Sequence, residues 1–257
     1  MNIILSGCGG RMGGEIIRYV SAVQNGDKII SGIDPTKRDF PFPVAQSFMR
    51  AESDDGFCMQ AKNADVIIDF SSHAATGDIL AYSSRHLLPT VICSTGQTEA
   101  EMRFIAETSK KVPIFLSANM STGIALVSEL IKTAAKALPE CEIEIIERHH
   151  DKKDDAPSGT ALMLASVIRT VRKEAYAVFG RHGNGRRRKE EIGIHSVRIG
   201  GEIGTHEIIF GAYNQTVTVK HEAHSRAMYA DGAVRAARFI LDKPAGLYGM
   251  SDLLNEK

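Results

Sequence analysis

Apolar and polar positions along the first 120 residues fall into alternating blocks typical of strands and helices. Runs that are almost entirely apolar predict buried strands at residues 2–6, 28–33, 66–70, 90–93 and 114–116. Apolar residues at helical spacing predict helices between them, at 11–23, 74–85 and 99–111. Continuously apolar strands that alternate with helices indicate an α/β fold with a parallel sheet covered on both faces. Residues 36–62 show no regular pattern and stay unassigned.

The pattern changes after residue 120. Helices are predicted there at residues 123–138, 158–172 and 227–241, and strands at 141–148, 192–198, 205–210 and 216–222. Glu and Ile alternate at 142–145, as on a strand with one exposed face. We therefore expect two domains, 1–120 with the parallel sheet and 121–226 with an α+β fold and an open mixed sheet. A C-terminal helix within 227–257 is expected to pack back onto the first domain.

Composition and charge restrict the possible partners. The 257 residues are 43% hydrophobic and 24% charged, which is ordinary for a globular protein. The 31 basic and 31 acidic residues cancel, so net charge gives no reason to expect nucleic acid or a membrane as partner. The basic run at 186–189 is interpreted as a solvated loop.

Cysteine spacing and the N-terminal segment bear on the compartment. The four cysteines form no C-x-x-C pair, which argues against a zinc or redox motif and favours free thiols. The sequence opens directly into a predicted strand, without the cationic and apolar regions of a signal peptide. No run approaches the ~20 apolar residues of a membrane span. We expect a cytoplasmic protein.

A glycine-rich loop, GCGGRMG at residues 7–13, joins the first predicted strand to the first helix. Glycines permit a tight turn and the close approach of a phosphate, and the helix N-terminus supplies N–H groups for it. Met12 stands where G-x-G-x-x-G has its third glycine, whereas Gly7, Gly10 and Gly13 fit G-x-x-G-x-x-G. This context predicts a Rossmann-like dinucleotide site. The alternative is a β–α turn that binds no ligand.

The end of the second predicted strand carries opposing signals for the cofactor. Asp34 lies where an acid accepts hydrogen bonds from ribose hydroxyls, which favours NADH. Lys37 and Arg38 follow it and could meet a 2′-phosphate, which favours NADPH. We expect the use of either NADPH or NADH.

His149, His150 and Lys153 are concentrated in the connection between the strand predicted at 141–148 and the next helix. Histidine is the side chain best suited to donate a proton near neutral pH. The Lys153 ammonium could hold a carboxylate. Proton donation beside an anion pocket fits reduction of an imine or enamine acid.

The start of the following helix completes this predicted anion pocket. Ser158 is placed to cap the helix, so that the N–H groups of Gly159 and Thr160 point outward at an anion. The residues alone fit equally well with a solvated charged loop before a capped helix.

The segment ERHHDKKDDAPSGTA at residues 147–161 resembles the signature E-x-H-H-x-x-K-x-D-A-P-S-G-T-A of the dihydrodipicolinate reductase family. The resemblance extends over nearly the whole chain, with GCGGRMG at 7–13, DFS at 69–71, STG at 94–96, ANMS at 118–121, EIGIHSVR at 191–198 and HEAHSR at 221–226. So many motifs in the same order make coincidence improbable.

The resemblance implies an NAD(P)H-dependent oxidoreductase that reduces 4-hydroxy-tetrahydrodipicolinate to tetrahydrodipicolinate in lysine biosynthesis by the diaminopimelate pathway. It implies transfer of a hydride from C4 of the nicotinamide to C4 of the substrate ring, and a homotetramer associated through the C-terminal sheet. His149 would donate or accept a proton, and Lys153 would be a second proton donor. The substrate carboxylates would bind His150, Gly159 and Thr160. The cofactor would be held by Gly7, Cys8, Gly9, Gly10, Arg11, Met12, Asp34, Cys93, Ser94, Thr95, Ser117, Ala118, Asn119 and Met120.

The sequence departs from the family pattern at three positions. Cys93 stands where glycine is common, and Ser94 replaces a threonine, so the packing beside the nicotinamide is expected to differ. Thr205 replaces the glutamate common before His206. None of the three is at the predicted proton donor or in the carboxylate pocket.

Two other functions are compatible with the glycine loop. A different two-domain dehydrogenase, such as one acting on aspartate, would not need His149, His150 and Lys153 together. A redox sensor would bind NADH without consuming it and would have no use for a proton donor beside an anion pocket.

Other histidines and arginines have weaker functional signals. His195, His206 and His221 are irregularly spaced, so they are interpreted as core or interface residues and no metal is expected. Arg198 and Arg226 could support an anionic substrate or lie at a surface or interface.

Overall fold

The computed structural model describes residues 1–23, 25–36 and 39–256. The chain divides into two compact units, one formed by Met1–Thr122 with Arg226–Lys257 and the other by Gly123–Ser225. Lys37 and Arg38, which the sequence analysis assigned to a possible 2′-phosphate, lie outside the described residues.

The first unit is built on a parallel sheet. Its strands are β1 (Asn2–Ser6), β2 (Lys28–Ile33), β3 (Val44–Ala45), β4 (Val66–Asp69), β5 (Thr90–Ile92), β6 (Pro113–Leu116) and β12 (Gly246–Tyr248). They pair in the order β12-β6-β5-β4-β1-β2-β3, and every pairing is parallel. The predicted parallel sheet is confirmed.

Helices cover both faces of this sheet. They are α1 (Arg11–Ala22), α2 (Phe48–Ala51), α3 (Asp55–Ala61), α4 (Thr76–His86), α5 (Glu99–Ser109), α8 (Ala227–Leu241) and α9 (Met250–Leu254). Because side chains alternate along a strand, Ile3 and Leu5 of β1 pack with α1 and α8, and Ile4 packs with α2, α3 and α4. Strands buried on both faces explain the continuous apolar runs.

The second unit is built on a mixed sheet. Its elements are α6 (Thr122–Ala137), β7 (Glu142–His149), α7 (Gly159–Arg169), β8 (Tyr176–Phe179), β9 (Glu191–Arg198), β10 (Gly204–Ala212) and β11 (Gln215–Ala223). The strand order is β11-β10-β7-β9-β8, with β7 antiparallel to β10 and parallel to β9. The predicted open mixed sheet is confirmed.

The central strand β7 brings its last residues to the functional region of this unit. Ile143 and Ile145 point into the core against α6 and α7. Because side chains alternate along a strand, Glu147 and His149 lie on the same face of β7 as Ile143 and Ile145, and they follow Ile145 by two and four residues. Two ionisable side chains are therefore buried at the end of an otherwise apolar strand face.

Several short elements were not predicted. The unassigned segment 36–62 contains β3, α2 and α3, and the side chains of Ser47 and Asp54 cap the two helices. Strand β8 was also missed. The prediction of a helix within 227–257 holds for α8, after which Pro244 cannot continue the helix and β12 and α9 follow. No helix among the described residues is long and apolar enough to cross a membrane.

Candidate active site

The residues predicted to hold a cofactor follow the carboxyl ends of neighbouring parallel strands. The glycine loop follows β1, Asp34 follows β2, the segment 93–95 follows β5, and the segment 117–120 follows β6. Because ligands of open α/β sheets bind outside this edge, its loops are the expected place for a dinucleotide.

The glycine loop leaves room that side chains would fill. Gly7 has a φ of +78°, and a Cβ there would lie 2.7 Å from the backbone carbonyl of Phe70. A Cβ on Gly9 would lie 2.8 Å from the Asp34 carboxylate. Gly10 is the N-cap of α1, and no side chain caps this helix. The loop thus fits a phosphate that approaches the backbone at a helix N-terminus.

A cavity of about 570 Å³ opens beside this loop. Its lining includes Gly7, Gly9, Gly10 and Asp34. The buried carboxylate of Asp34 accepts hydrogen bonds from the Gly9 N–H at 2.7 Å, from the Thr36 N–H at 2.9 Å and from the Thr36 hydroxyl. The cavity therefore presents the backbone of the glycine loop beside the Asp34 carboxylate, the chemistry that a nucleotide pyrophosphate and ribose require.

Of the predicted cofactor residues, only Gly7, Gly9, Gly10 and Asp34 line that cavity. Within the segment 7–12, three residues do not. The side chain of Cys8 is buried in the core, with Sγ 3.8 Å from the Ile33 carbonyl oxygen. Arg11 and Met12 form the start of α1 and are absent from the cavity lining. For Cys8, the backbone is the part that the loop presents.

Asp69 forms hydrogen bonds with residues of the loops after β4 and β5. Its fully buried carboxylate accepts hydrogen bonds from the Ser71 N–H at 3.0 Å, the Ser71 hydroxyl at 2.5 Å and the Ser94 hydroxyl at 2.8 Å. Burial raises the pKa of Asp69, and these hydrogen bonds offset part of the shift. Burial also raises the pKa of the neighbouring Cys93 thiol well above its usual range. Cys93 is therefore a protonated packing residue beside the predicted nicotinamide position.

The loop after β6 is braced within itself. The Ser117 hydroxyl donates to the Asn119 carbonyl oxygen at 2.8 Å, and the Asn119 side-chain oxygen accepts from the Ser121 N–H at 2.9 Å. Met120 is buried, whereas Thr95 and Ala118 are exposed. These hydrogen bonds fix the conformation in which the loop would present backbone groups to a ligand.

In the second unit, the connection from β7 to α7 carries the predicted proton donor and anion pocket. His149 is the last residue of β7, and the Lys153 N–H closes a turn on the His150 carbonyl oxygen at 3.2 Å. Ser158 caps α7 as predicted, its hydroxyl accepting from the Ala161 N–H at 3.2 Å.

A buried carboxylate lies against His149. Nδ1 of His149 is 2.5 Å from Glu147 Oε2, and the side chain of Glu147 is 0% exposed. Arg198 donates to both carboxylate oxygens, at 2.9 and 2.7 Å, and the Ser158 N–H donates to one of them at 3.1 Å. Burial alone would raise the pKa of Glu147, but the bonds from Arg198 and His149 lower it to about 2. Glu147 is therefore ionised.

His206 lies beside this group. It is buried, its Nε2 is 3.1 Å from the Ser158 hydroxyl oxygen, and its ring meets His149 edge to face at 5.2 Å. Burial, and then the charge of His149, lowers the pKa of His206 to about 4. The interpretation of His206 as a core residue overlooked its contact with the predicted proton donor.

Lys153 and the first turn of α7 already hold a carboxylate. Lys153 Nζ donates to Asp155 Oδ1 at 2.6 Å, and the backbone N–H of Gly159 also hydrogen-bonds to Asp155. The charge of Lys153 contributes to lowering the pKa of His149, where burial is the largest cause. Lys153 and the Gly159 N–H, both predicted to bind a substrate carboxylate, thus bind the carboxylate of Asp155 near the His149 imidazole.

The other residues assigned to the substrate lie in this connection and at the start of α7. His150 is half-buried, and its buried Nδ1 has no hydrogen-bond partner among the described residues. Thr160 is half-buried in the first turn of α7. Their positions are compatible with contacts to a ligand.

The remaining candidates have structural partners. His195 lies 2.9 Å from Glu144 on the sheet face opposite Glu147, and Arg198 is occupied by Glu147. Within the basic run, Arg186, Arg188 and Lys189 are exposed, whereas Arg187 is largely covered and pairs with acids of β7. No group of His, Cys, Asp and Glu in the described part of the chain could hold a metal ion.

Of the two residues whose role at the site was missed, Glu147 could be found from alternation along its strand. Glu147 lies two residues before His149, so both side chains share the buried face of β7, whereas Glu142 and Glu144 lie on the other. Arg198 is paired in register with His149, which a sequence pattern does not reveal.

A glycine loop on a parallel sheet, joined to a mixed sheet that carries an imidazole and a carboxylate-binding loop, defines a two-unit nicotinamide-dependent oxidoreductase. Family models described as dihydrodipicolinate reductase, N-terminus and C-terminus, match residues 1–120 and 123–254. The chain belongs to the dihydrodipicolinate reductase family.

Relatives match over nearly their full length. The chain is 40% identical over 258 residues to 4-hydroxy-tetrahydrodipicolinate reductase of Clostridium tetani, covering 99% of this chain and 97% of that protein. It is 42% identical over 252 residues to the enzyme of the same name from Rickettsia bellii, covering 98% and 94%.

Solved structures share the fold. Dipicolinate-bound dihydrodipicolinate reductase from Paenisporosarcina sp. TG-14 has a TM-score of 0.81 at 23% identity, with 98% of each chain covered. An aspartate dehydrogenase from Thermotoga maritima has a TM-score of 0.53 at 13% identity, with 95% of this chain and 98% of that chain covered. At these identities both likenesses extend to the fold alone.

Proposed function

We propose that the protein reduces 4-hydroxy-tetrahydrodipicolinate to tetrahydrodipicolinate with NADH or NADPH, in lysine biosynthesis by the diaminopimelate pathway. Family membership supports this substrate. The observation that carries the proposal is the β7–α7 connection, where Lys153 and the Gly159 N–H hold a carboxylate near the His149 imidazole. A dicarboxylate ring that must accept a proton matches these groups.

The first unit would hold the cofactor, which supplies the hydride when bound. The glycine loop and Asp34 would receive the pyrophosphate and adenosine ribose, since they line the cavity. The loops after β5 and β6 would receive the nicotinamide end, through residues 93–95 and 117–120. Asp34 suits NADH, and Lys37 with Arg38 would allow NADPH.

The second unit would hold the substrate and move the proton. Replacing the 4-hydroxyl by hydrogen requires one hydride and one proton and releases water. His149 would donate the proton, with Lys153 as a second donor near the carboxylate. One substrate carboxylate would displace Asp155 from Lys153 and Gly159, with Thr160 and His150 completing its contacts.

The protein is further proposed to be a cytoplasmic homotetramer. Helices α6 and α7 cover one face of the mixed sheet, and in the described residues no helix of the second unit covers the other, which carries Ile146 and Ile209. A sheet face with apolar residues and no covering layer suits self-association. Sedimentation of the intact protein at several concentrations tests this, and a monomer throughout would contradict it.

The proposed activity is tested by following NADPH and NADH oxidation with two substrate mixtures. One is enzymatically generated 4-hydroxy-tetrahydrodipicolinate, and the other is oxaloacetate with ammonia. We expect oxidation with the first mixture alone. Oxidation with oxaloacetate and ammonia alone would assign the protein to the aspartate dehydrogenases instead.

A further inference from the structure

We infer that Glu147, Arg198 and Gly204 are positioning residues that make Nε2 of His149 the nitrogen that exchanges the proton. Glu147 and Arg198 fix one edge of the ring, and Gly204 leaves space at the other. The inference rests on the proposed role of His149 as proton donor.

The contact with Glu147 decides which ring nitrogen keeps its hydrogen. An ionised carboxylate can only accept a hydrogen bond, so Nδ1, 2.5 Å from Glu147 Oε2, must carry the hydrogen. In neutral His149 the lone pair is then on Nε2, and in the protonated form Nε2–H is the free donor. This is how a buried carboxylate selects a histidine tautomer.

Arg198 and Ser158 hold Glu147 in place. Arg198 bonds both carboxylate oxygens and also donates to the Asp155 carbonyl oxygen at 2.6 Å, while the Ser158 N–H bonds Oε1. A two-pronged guanidinium contact fixes the plane of a carboxylate. Arg198 thereby links the Glu147 carboxylate, which contacts the His149 ring, to the loop that carries Lys153.

Gly204, the first residue of β10, borders the other edge of the ring. A Cβ at this position would lie 2.9 Å from Nε2 and 3.2 Å from Cδ2 of His149. Nε2 has no hydrogen-bond partner among the described residues. Because the contact with Glu147 holds the other edge of the ring, a side chain at 204 would cover Nε2, the nitrogen inferred to exchange the proton.

Charges from every neighbouring element act on His149. Glu147 on β7 raises its pKa, whereas Arg198 on β9 and Lys153 in the connection lower it. His206 on β10 and Glu202 before β10 are further titratable groups coupled to it. Removing the charge of Glu147 and removing that of Arg198 should therefore shift the pKa of His149 in opposite directions.

The first test compares the pH dependence of kcat/KM in Glu147→Gln and Arg198→Gln. A protonated donor loses activity as pH rises through its pKa. We expect this decline at lower pH in Glu147→Gln and at higher pH in Arg198→Gln, with KM for the substrate within about threefold of the original in Glu147→Gln. A decline at unchanged pH in Glu147→Gln would overturn the inference, even if Arg198→Gln does not fold.

The second test uses two glycines of the same strand. Gly204→Ala should lower kcat at least tenfold, because the methyl group covers Nε2 of His149. Gly211→Ala, where a Cβ meets nothing within 4 Å, is the control and should leave kcat unchanged. Equal activity of the two variants would overturn the role of Gly204.

A third measurement does not depend on turnover. Nitrogen-15 spectra of the intact protein should show neutral His149 with its hydrogen on Nδ1, and Glu147→Gln should weaken that preference. A wild-type Nε2–H tautomer would refute the inference. If the wild type lacks activity on the proposed substrate, the proposed function fails; if it is active while His149 has the other tautomer, this inference alone fails.

Discussion

At the scale of single residues, the proposed chemistry depends on a proton held by His149. The side chain is nearly buried and its pKa is lowered, by burial first, against the raising effect of Glu147. Replacing His149 with Gln preserves polarity and removes the proton donor. We expect turnover to fall about 10²–10⁴-fold, the usual effect of losing one general acid. Binding of NADPH, measured by fluorescence titration, should be unchanged, and undiminished turnover would contradict the role of His149.

Lys153 is expected to act through a substrate carboxylate. Lys153→Ala removes a charge-assisted hydrogen bond worth about 1.5–3 kcal/mol, so the dissociation constant of dipicolinate should rise roughly 10- to 100-fold. Lys152→Ala is the matched control, since Lys152 is exposed in the same loop. Titration calorimetry measures both, and equal affinities would show that Lys153 does not contact the ligand.

His206, which contacts His149, should make the stability of the folded protein depend on pH. Its pKa is lowered from 6.5 to about 4, so the unfolded chain binds a proton that the folded protein excludes between these values. The contribution of neutral His206 to the free energy of unfolding is therefore present above pH 6.5 and is lost as the pH falls towards 4. Between pH 7 and 5 this loss of unfolding free energy is about 2 kcal/mol. In urea unfolding, the His206→Asn variant should lose less unfolding free energy than the wild type between pH 7 and 5. The exposed His182→Asn should behave as the wild type, and an unchanged pH slope in His206→Asn would contradict the assignment.

The roles of some single residues could be predicted from the sequence, and those of others could not. Ser158 as a helix cap follows from residue type and position, and the structure confirms it. Arg198 could not be assigned, because its partner Glu147 lies 51 positions away and is brought near by the parallel pairing of β7 and β9. Contacts set by strand register depend on the whole sheet.

At the scale of elements, the β1–α1 turn makes the sharpest prediction. A methyl group on Gly9 would press on Asp34 and Thr36, while one on Gly14 would meet nothing closer than the Arg18 side chain at 3.8 Å. Gly9→Ala should therefore raise the dissociation constants of NADH and NADPH at least tenfold, and Gly14→Ala should leave them nearly unchanged. Similar affinities for the two variants would remove the glycine loop from the cofactor site.

Elements were predictable in proportion to their length and burial. Strand β1 is a continuous apolar run and helix α8 has apolar residues at helical spacing, and both form as expected. Strand β3 has two residues and helix α2 has four, too few to show any period. Such pieces form because Phe48 and Phe57 are buried against α4, a tertiary contact that no local window contains.

At the scale of the whole molecule, two sheets of different construction divide the proposed work. The parallel sheet presents loops at one edge, which suits a dinucleotide, and the mixed sheet presents the ends of β7, β9 and β10, which suits a small acidic ring. The sequence alone indicated both sheet types, because buried parallel strands and half-exposed strands have different polar patterns. The substrate class came from the motif at 147–161, since fold alone does not define chemistry.

The proposed chemistry requires the β7–α7 connection to bind the acidic ring beside His149. A crystal structure of the protein with dipicolinate and NADPH would show whether it does. We expect one ligand carboxylate on Lys153 Nζ and the Gly159 N–H, with Asp155 displaced and the ring next to Nε2 of His149. Dipicolinate bound elsewhere, with the Lys153–Asp155 pair intact, would exclude this connection as the substrate site.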